Sequence, residues 1–330
     1  MLFQENYIGC NVVHDVVDPR LNTFVQQSAL QLVQPNARRS ASFRFPGPMP
    51  ITVERCHVNR IKAGGFAMTP KADGLRVLVL FLRYFIDDAR QPLCVLLHRG
   101  GACQLIMQHT NLAVYDNGGS VFDAELVTLR DQQTVQLYLF DCYAYKGTCV
   151  TTATLDRRQN VISRLIDMTD SAHPNVIQMQ LKPFVPFVKG HLADAQSFIT
   201  NTHALPFPTD GVVLVSSGPI TKFGTSDEQF KLKAYHTVDL IIVDDEGDLY
   251  LASLDEADDS YVTKQELAQM PEGATINSVL ECDVQIADGF ASYTPRMIRI
   301  DKKLPNSEHV IERTLQTIRD NILLEELAAK

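Results

Sequence analysis

Seven short polar islands, each set between apolar runs, hold the residues best suited to chemistry. They are KADGLR (71–76), HR (98–99), FDAE (122–125), FD (140–141), TDG (209–211), KLK (231–233) and RIDK (299–302). The islands supply cations at strand ends (Lys71, Arg76, Arg99, Lys231, Lys233), carboxylates at strand ends (Asp123, Glu125, Asp210) and a further basic pair, Arg299 and Lys302. Taken singly, each has an ordinary reading: Asp-Gly between apolar runs makes a turn, and Lys-x-Lys on a strand makes a solvated face. Arrayed on neighbouring strands, the set would instead converge on a phosphate anion with a bound divalent cation. No G-x-x-x-x-G-K-[ST] loop is present, so phosphate would be held by side-chain cations rather than by backbone N–H groups. Lys71 could then be a nucleophile rather than a turn residue. An amine attacks only when neutral, and its ordinary pKa of about 10.4 keeps it protonated unless nearby cations disfavour the charge.

The elements that must position these islands are mostly strands. A helix over 21–34 places Phe24, Ala29, Leu30 and Val33 near one face, and it ends before a proline-rich loop, 35–50, that carries Arg38, Arg39 and Arg44. LRVLVLFLRYFI (75–86) and PLCVLLHR (92–99) read as a hairpin across DDARQ. QLIMQ, SVFDAELVTLR, VQLYLFDCYAY and FPTDGVVLVSS are further strands. A helix over LDRRQNVISRLIDMT sets Leu155, Val161, Leu165 and Met168 inward. After Lys233, TVDLIIV and DLYLASL form a hairpin, followed by SVLECDVQI and RMIRID. Short antiparallel strands in a small acidic unit suggest a barrel of OB type. A last helix from Ser307 carries Ile311, Leu315, Ile318 and Ile322, a stripe expected to pack back on the main body.

Composition bounds the rest. The 330 residues are 45 % hydrophobic and 21 % charged, with a net charge of −9. That is ordinary globular material and a poor match to a protein that coats long nucleic acid. Residues 239–330 hold 20 acidic and 8 basic side chains, while the remainder holds 19 acidic and 22 basic, so two units with different tasks are expected. Seven scattered cysteines without a C-x-x-C pair fit reduced thiols rather than a zinc site or disulfide framework. No apolar run reaches the ~20 residues of a membrane span, and the first residues lack a signal-peptide layout, so an intracellular protein without a membrane partner is expected.

Taken in order, the islands resemble the motif series of the covalent nucleotidyltransferases, which include mRNA-capping guanylyltransferases and ATP-dependent polynucleotide ligases. K-x-D-G-x-R is met at 71–76, and FDAEL, LFD, TDGVV and FKLKAYHTVDL follow it in sequence. Asp210 before Gly211, the T-V-D-L after the lysines, FPGPMPITVER (45–55) and RIDKKLPN resemble the capping branch more than the ligases. One departure is Ala124, where the family usually has glycine between Asp123 and Glu125.

The resemblance implies an α+β fold: a nucleotidyltransferase domain of antiparallel sheets with flanking helices over 1–237, to which the C-terminal helix 307–330 returns, and an OB-fold lid over 238–306. It implies attack by Lys71 on the α-phosphate of GTP, a lysyl–GMP intermediate, and transfer of GMP to the 5′-diphosphate end of RNA. Arg76 and Arg99 resemble ribose contacts, Phe140 a ring stacked on guanine, and Lys189 a lysine reading guanine O6. Lys231 and Lys233 resemble α-phosphate contacts. Asp239, Arg299 and Lys302 resemble groups that engage the β- and γ-phosphates when the lid closes. Glu125 and Asp210 resemble carboxylates on the side of a divalent metal, Mg²⁺ or Mn²⁺. Implied partners are an RNA triphosphatase, a cap methyltransferase and RNA polymerase. The implied location is the nucleus for a cellular enzyme, or host cytoplasm, host nucleus or virion for a viral one. Two other readings remain open: a ligase that adenylylates itself with ATP, and a binding module that keeps the fold without the chemistry.

Overall fold

Strand-forming runs dominate the computed structural model, which describes residues 2–9, 11–36, 43–170, 176–202, 204–233, 235–300 and 302–329. The chain divides into two units: Met1–Ile51, Asn59–Leu232 and Leu327–Lys330 in the first, and Thr52–Val58 with Lys233–Glu326 in the second.

The first unit opens with a hairpin, β1 (Phe3–Ile8) and β2 (Asn11–Val16), in a stretch without a motif. In α1 (Pro19–Val33) the Asp18 carboxylate accepts the N–H groups of Arg20 and Leu21, and proline occupies the first position. Its buried face is Leu21, Val25, Ala29 and Val33, whereas Phe24 and Leu30 lie on the flanks. Steps of four residues fit the 3.6-residue turn better than the face expected from sequence. After β3 (Pro48–Thr52), a short α2 (Val58–Lys62) and β4 (Phe66–Ala72) comes the long hairpin of β5 (Leu75–Ile86) and β6 (Ala89–His98). Its turn is only Asp87-Asp88, both at positive φ (48° and 60°), the twist that matches a two-residue connection.

β7 (Cys103–Ile106), a two-residue β8 (His109–Thr110), β9 (Ser120–Thr128), β10 (Val135–Tyr145) and a two-residue β11 (Thr148–Cys149) follow. α3 (Leu155–Asp167) buries Leu155, Arg158, Ile162 and Leu165, so its inner face includes an arginine where Val161 and Met168 were expected. Then come β12 (Thr169–Asp170), β13 (Gln178–Leu181), β14 (Val185–Phe187), α4 (Leu192–Thr202), β15 (Thr209–Ser216) and β16 (Gly224–Lys233).

Two sheets of this unit carry the site. The larger runs β1-β2-β7-β6-β5-β9-β10-β11, with β13 parallel to β10. Leu78, Leu80 and Leu82 of β5 pack under α1, while Val77, Val79 and Phe81 pack with Phe122 and with Ile162 and Leu165 of α3. Burial on both faces is why these strands read as continuous apolar runs. The smaller sheet runs β14-β4-β15-β16-β3.

In the second unit, β17 (Thr237–Asp245), β18 (Asp248–Asp255), β19 (Ser260–Glu266), β20 (Val279–Ala287) and β21 (Phe290–Ile298) form one antiparallel sheet, ordered β19-β18-β17-β20-β21. The closed barrel expected here is not found: among the described residues no backbone ladder joins β19 to β21. One side chain bridges these edges instead. The Gln265 amide nitrogen donates to the Tyr293 carbonyl at 3.0 Å, and its oxygen accepts the Tyr293 N–H at 2.9 Å.

α5 (Glu308–Asp320) lays Ile311, Leu315 and Ile318 on Val238, Leu240 and Leu280 of this sheet. The expectation that residues 307–330 return to the main body is therefore corrected. The apolar stripe covers the open face of the acidic sheet, and only Leu327–Lys330, at the end of α6 (Leu324–Ala328), groups with the first unit. No described helix is long and apolar enough to cross a membrane.

Candidate active site

Lys71 is the penultimate residue of β4, and its amine lies against Asp210 of β15, with Nζ 2.7 Å from Oδ1 and 2.6 Å from Oδ2. A register irregularity makes this contact. Thr209 pairs with Ala72 and Val212 with Pro70, which leaves Asp210 and Gly211 outside the regular ladder. Gly211 has φ 140°, a backbone open to glycine and rarely to other residues. The Lys71 side chain is 24 % exposed and that of Asp210 12 %, so the amine sits at the edge of solvent.

The turn Asp73-Gly74 joins β4 to β5, and the Asp73 N–H donates to the Pro208 carbonyl at 3.0 Å. A Cβ on Gly74 would lie 2.6 Å from the Leu126 carbonyl oxygen and 3.0 Å from Glu125 Cγ. Glycine is thus what lets the turn lie flat on β9, with Glu125 beside it, three residues from the amine. Glu125 accepts from Lys182 Nζ at 2.6 Å.

Phe140 sits at an irregularity in β10, between the Leu139–Ala124 and Asp141–Asp123 pairs. Two cations face its ring: Lys182 Nζ at 5.2 Å and the Arg76 guanidinium at 5.4 Å from the centroid. Lys182, which sequence reasoning did not single out, is 4 % exposed. Lys189, expected in this place, is exposed beyond β14. Lys182 follows β13, whose parallel pairing with β10 carries it to Phe140, and its N–H bonds the Leu139 carbonyl at 2.8 Å.

Arg76 is anchored from several sides. Nε and Nη2 donate to Asp123 at 3.0 and 2.5 Å, Nη1 to the Pro48 carbonyl at 2.8 Å, and the Phe45 ring lies 5.3 Å from the guanidinium. Tyr143 also donates to Asp123. Burial opposes the Arg76 charge, but Asp123 and Tyr143 outweigh it and hold the guanidinium above its usual range. Burial and Asp123 likewise push the Tyr143 phenol well up. Arg99 stands apart, exposed just after β6, with no ion pair among the described residues.

A second buried pair stands behind Phe140. Arg158 of α3 donates to Asp141 through Nε at 2.6 Å and Nη2 at 3.1 Å, and through Nη1 to the Ala153 carbonyl at 2.5 Å and the Gly218 carbonyl at 3.1 Å. Both side chains are 1–2 % exposed. Burial pushes the Asp141 carboxyl up, against the pull of Arg158. Lys231 and Lys233 lie half-buried on β16, the neighbour of β15, two residues apart and so on one face.

In the second unit Asp239 of β17 gathers two of the expected cations: Arg299 Nη1 at 3.1 Å, and Lys302. Arg299 also meets Glu281 at 3.3 Å, and Asn306 Oδ1 accepts the Asp239 N–H at 2.8 Å. Asp301, within the RIDK island, lies outside the described residues, as do Arg38 and Arg39.

The family model described as the mRNA capping enzyme catalytic domain matches residues 6–235. The chain belongs to this family. It is therefore an enzyme of the nucleotidyltransferase class, and its family works on a nucleotide and RNA. Among solved structures it is similar to mycobacterial DNA ligase D complexed with ATP and MES, at 15 % identity over 78 % of this chain and 96 % of that one, with a TM-score of 0.46. It is also similar to a Lig E DNA ligase, at 13 % identity over 77 % and 99 % of the two chains, with a TM-score of 0.40.

The first unit places Lys71 and Asp210 on the paired strands β4 and β15 of the smaller sheet, and Arg76, Glu125 and Phe140 on β5, β9 and β10 of the larger one, with Lys182 against Glu125 and Phe140. Glu125 and Asp210 offer hard carboxylate oxygens beside the Lys71 turn, the donor chemistry that Mg²⁺ or Mn²⁺ takes. One other set of possible ligands gathers among the described residues: Glu54, Cys56 and His57. Within it Glu54 accepts from Arg313 and His57 Nδ1 accepts the Glu54 N–H at 3.0 Å, while Cys56 is an exposed free thiol. No disulfide joins the six described cysteines.

Proposed function

We propose that the chain is an RNA guanylyltransferase that works through a covalent lysyl–GMP. The observation that carries this reading is Lys182 placed between Glu125 and the face of Phe140. A flat ring suits a purine face. An ammonium at the ring edge of that purine donates to guanine O6, whereas adenine presents a donor amine at the same position and would leave two donors facing each other.

In the first half-reaction the Lys71 amine attacks the α-phosphorus of GTP. The Nζ–P bond forms, the bond to the β-phosphate oxygen breaks, and pyrophosphate leaves with its electron pair. Asp210, in contact with Nζ, orients the amine and stands where its proton must go. In the second half-reaction a terminal oxygen of the RNA diphosphate attacks the same phosphorus, the P–N bond breaks, and the amine regains a proton. Glu125 and Asp210 are the carboxylates that would hold a divalent cation here, and such a cation would supply charge neutralisation at the phosphoryl oxygens. Lys231 and Lys233 add cationic charge for the α-phosphate. Arg76, with its donors given to Asp123 and Pro48, fixes the wall beside Phe140.

For the second unit, the strand order and the Gln265 bridge between its edge strands support an opened OB-type sheet. Arg299 and Lys302 would serve the departing pyrophosphate in exchange for Asp239.

The deciding experiment incubates the protein with α-labelled GTP or ATP and a divalent metal, then resolves it on a denaturing gel. Label from GTP alone, lost in Lys71→Ala, is the expected result. Label from ATP and not GTP would overturn the guanylyl assignment in favour of a ligase-type enzyme.

A further inference from the structure

The first unit contains a cavity of about 710 Å³ that takes no part in the site described above. Its wall includes Arg83 of β5, Arg90 of β6, Ser28 and Gln31 of α1, and Asn117. Arg83 lies seven residues along β5 from Arg76, about 23 Å at the rise of a strand, so one nucleotide cannot touch both. We propose that this cavity is a second phosphate-binding site, taking either a backbone phosphodiester of RNA or the phosphates of a free nucleotide.

Three observations support it. The first is an excess of positive charge. Among the described residues Arg90 has no carboxylate partner, and Arg83 is paired only at 3.4 Å, with the one carboxylate of the wall, Asp116, while a second donor contact reaches the Leu112 carbonyl at 3.4 Å. The second is preorganisation: Arg90 rests 5.2 Å from the Phe85 ring centroid and Arg83 6.0 Å from that of Tyr115. Stacking fixes a guanidinium plane before a ligand arrives and so lowers the entropy lost on binding. The third is the donor set. Ser28, Gln31 and Asn117 offer hydroxyl and amide groups that have no hydrogen-bond partner among the described residues, and a concave site of this volume fits a nucleotide unit. Guanidinium forks match phosphate oxygens in pairs, which makes phosphate the ligand chemistry that this wall recognises.

The site is separate from Lys71, so its test is separate from that of the guanylyl reading. The variants are Arg83→Gln/Arg90→Gln, and Gln31→Glu, which places a carboxylate at the exposed α1 wall without touching the core. Binding of a fluorescent single-stranded oligoribonucleotide is followed by anisotropy across a salt series. Binding of radiolabelled GTP is followed by equilibrium dialysis in a Lys71→Ala background, and labelling of Lys71 is assayed in parallel with the residue intact. The expected result is an RNA affinity roughly tenfold lower in both variants, with the salt slope of the double variant reduced by about 1, while Lys71 labelling is unchanged. A loss confined to a second, weaker GTP-binding event would instead assign the cavity to free nucleotide. Unchanged RNA and GTP binding in both variants would overturn the proposal.

Discussion

At the scale of single residues, the site divides by how each side chain is fixed in place. Lys71, Glu125, Phe140 and Asp210 lie in short motifs whose strand and turn chemistry is local, and the sequence marks them directly. Lys182 is different. It reaches Phe140 only through the parallel pairing of β13 with β10, a contact across about 40 residues of chain that no local spacing reveals. In sequence it is a lone lysine before a proline, and the equally plausible Lys189 lies seven positions on. The two lysines therefore make a direct test. Lys182→Met is expected to raise the KM for GTP by roughly 10- to 100-fold, since a buried charged hydrogen bond is lost and Glu125 is left without its partner. Lys189→Met should leave it within about twofold, as surface changes remote from a site usually do. A larger effect of Lys189→Met than of Lys182→Met in a steady-state labelling assay would place the base contact at Lys189, and equal effects would remove Lys182 as the base reader.

At the scale of elements, α3 does more than cover a sheet. Through Arg158 it clamps Asp141, next to Phe140 on β10, and reaches the Gly218 carbonyl just after β15, the strand that carries Asp210. The Leu155 N–H adds a bond to the Ser217 carbonyl at 3.0 Å. The helix thereby ties β10, which carries Phe140, to the end of β15, which carries Asp210. Its arginine is not legible in sequence because a charged residue on a helix is ordinarily solvated, and the apolar positions alone mark an inner face. Arg158→Met should cost about 3–5 kcal/mol, because Asp141 would be left buried and unpaired. Arg158→Met/Asp141→Leu should recover much of that loss. The pH dependence has a definite sign. Burial already raises the Asp141 carboxyl in the fold, so its contribution to stability is most favourable below the unfolded carboxylate range and is lost as pH rises through the folded pKa. The Met variant, with the pull of Arg158 gone, should lose stability more steeply with rising pH than the parent does. Urea unfolding of both proteins across acidic to neutral pH measures this, and parallel curves would remove Asp141 as the cause.

At the scale of the whole molecule, the sequence marked an acidic C-terminal portion but placed its last helix wrongly. An amphipathic stripe states that a helix must be covered, not which surface covers it. The five-stranded sheet of the second unit presents an open apolar face, and α5 fills it. The expected barrel stays open for a related reason: strand number and spacing are visible in sequence, whereas closure depends on β19 meeting β21, where the Gln265 side chain does the joining. The same unit carries Asp239, Arg299 and Lys302 as one ion cluster, and both cations face a carboxylate that a phosphate group could displace. If they serve the pyrophosphate leaving group, their loss must fall unequally on the two half-reactions, because pyrophosphate takes part in the first and has gone before the second. Arg299→Ala and Lys302→Ala are expected to slow lysyl–GMP formation by roughly 10- to 100-fold. Transfer of GMP from isolated intermediate to diphosphate-ended RNA should change by no more than about threefold. Single-turnover labelling measures the first rate, and a chase of purified labelled protein with RNA measures the second. Equal losses would instead make the cluster a structural support for the second unit, and a lower melting temperature of that unit would then accompany them.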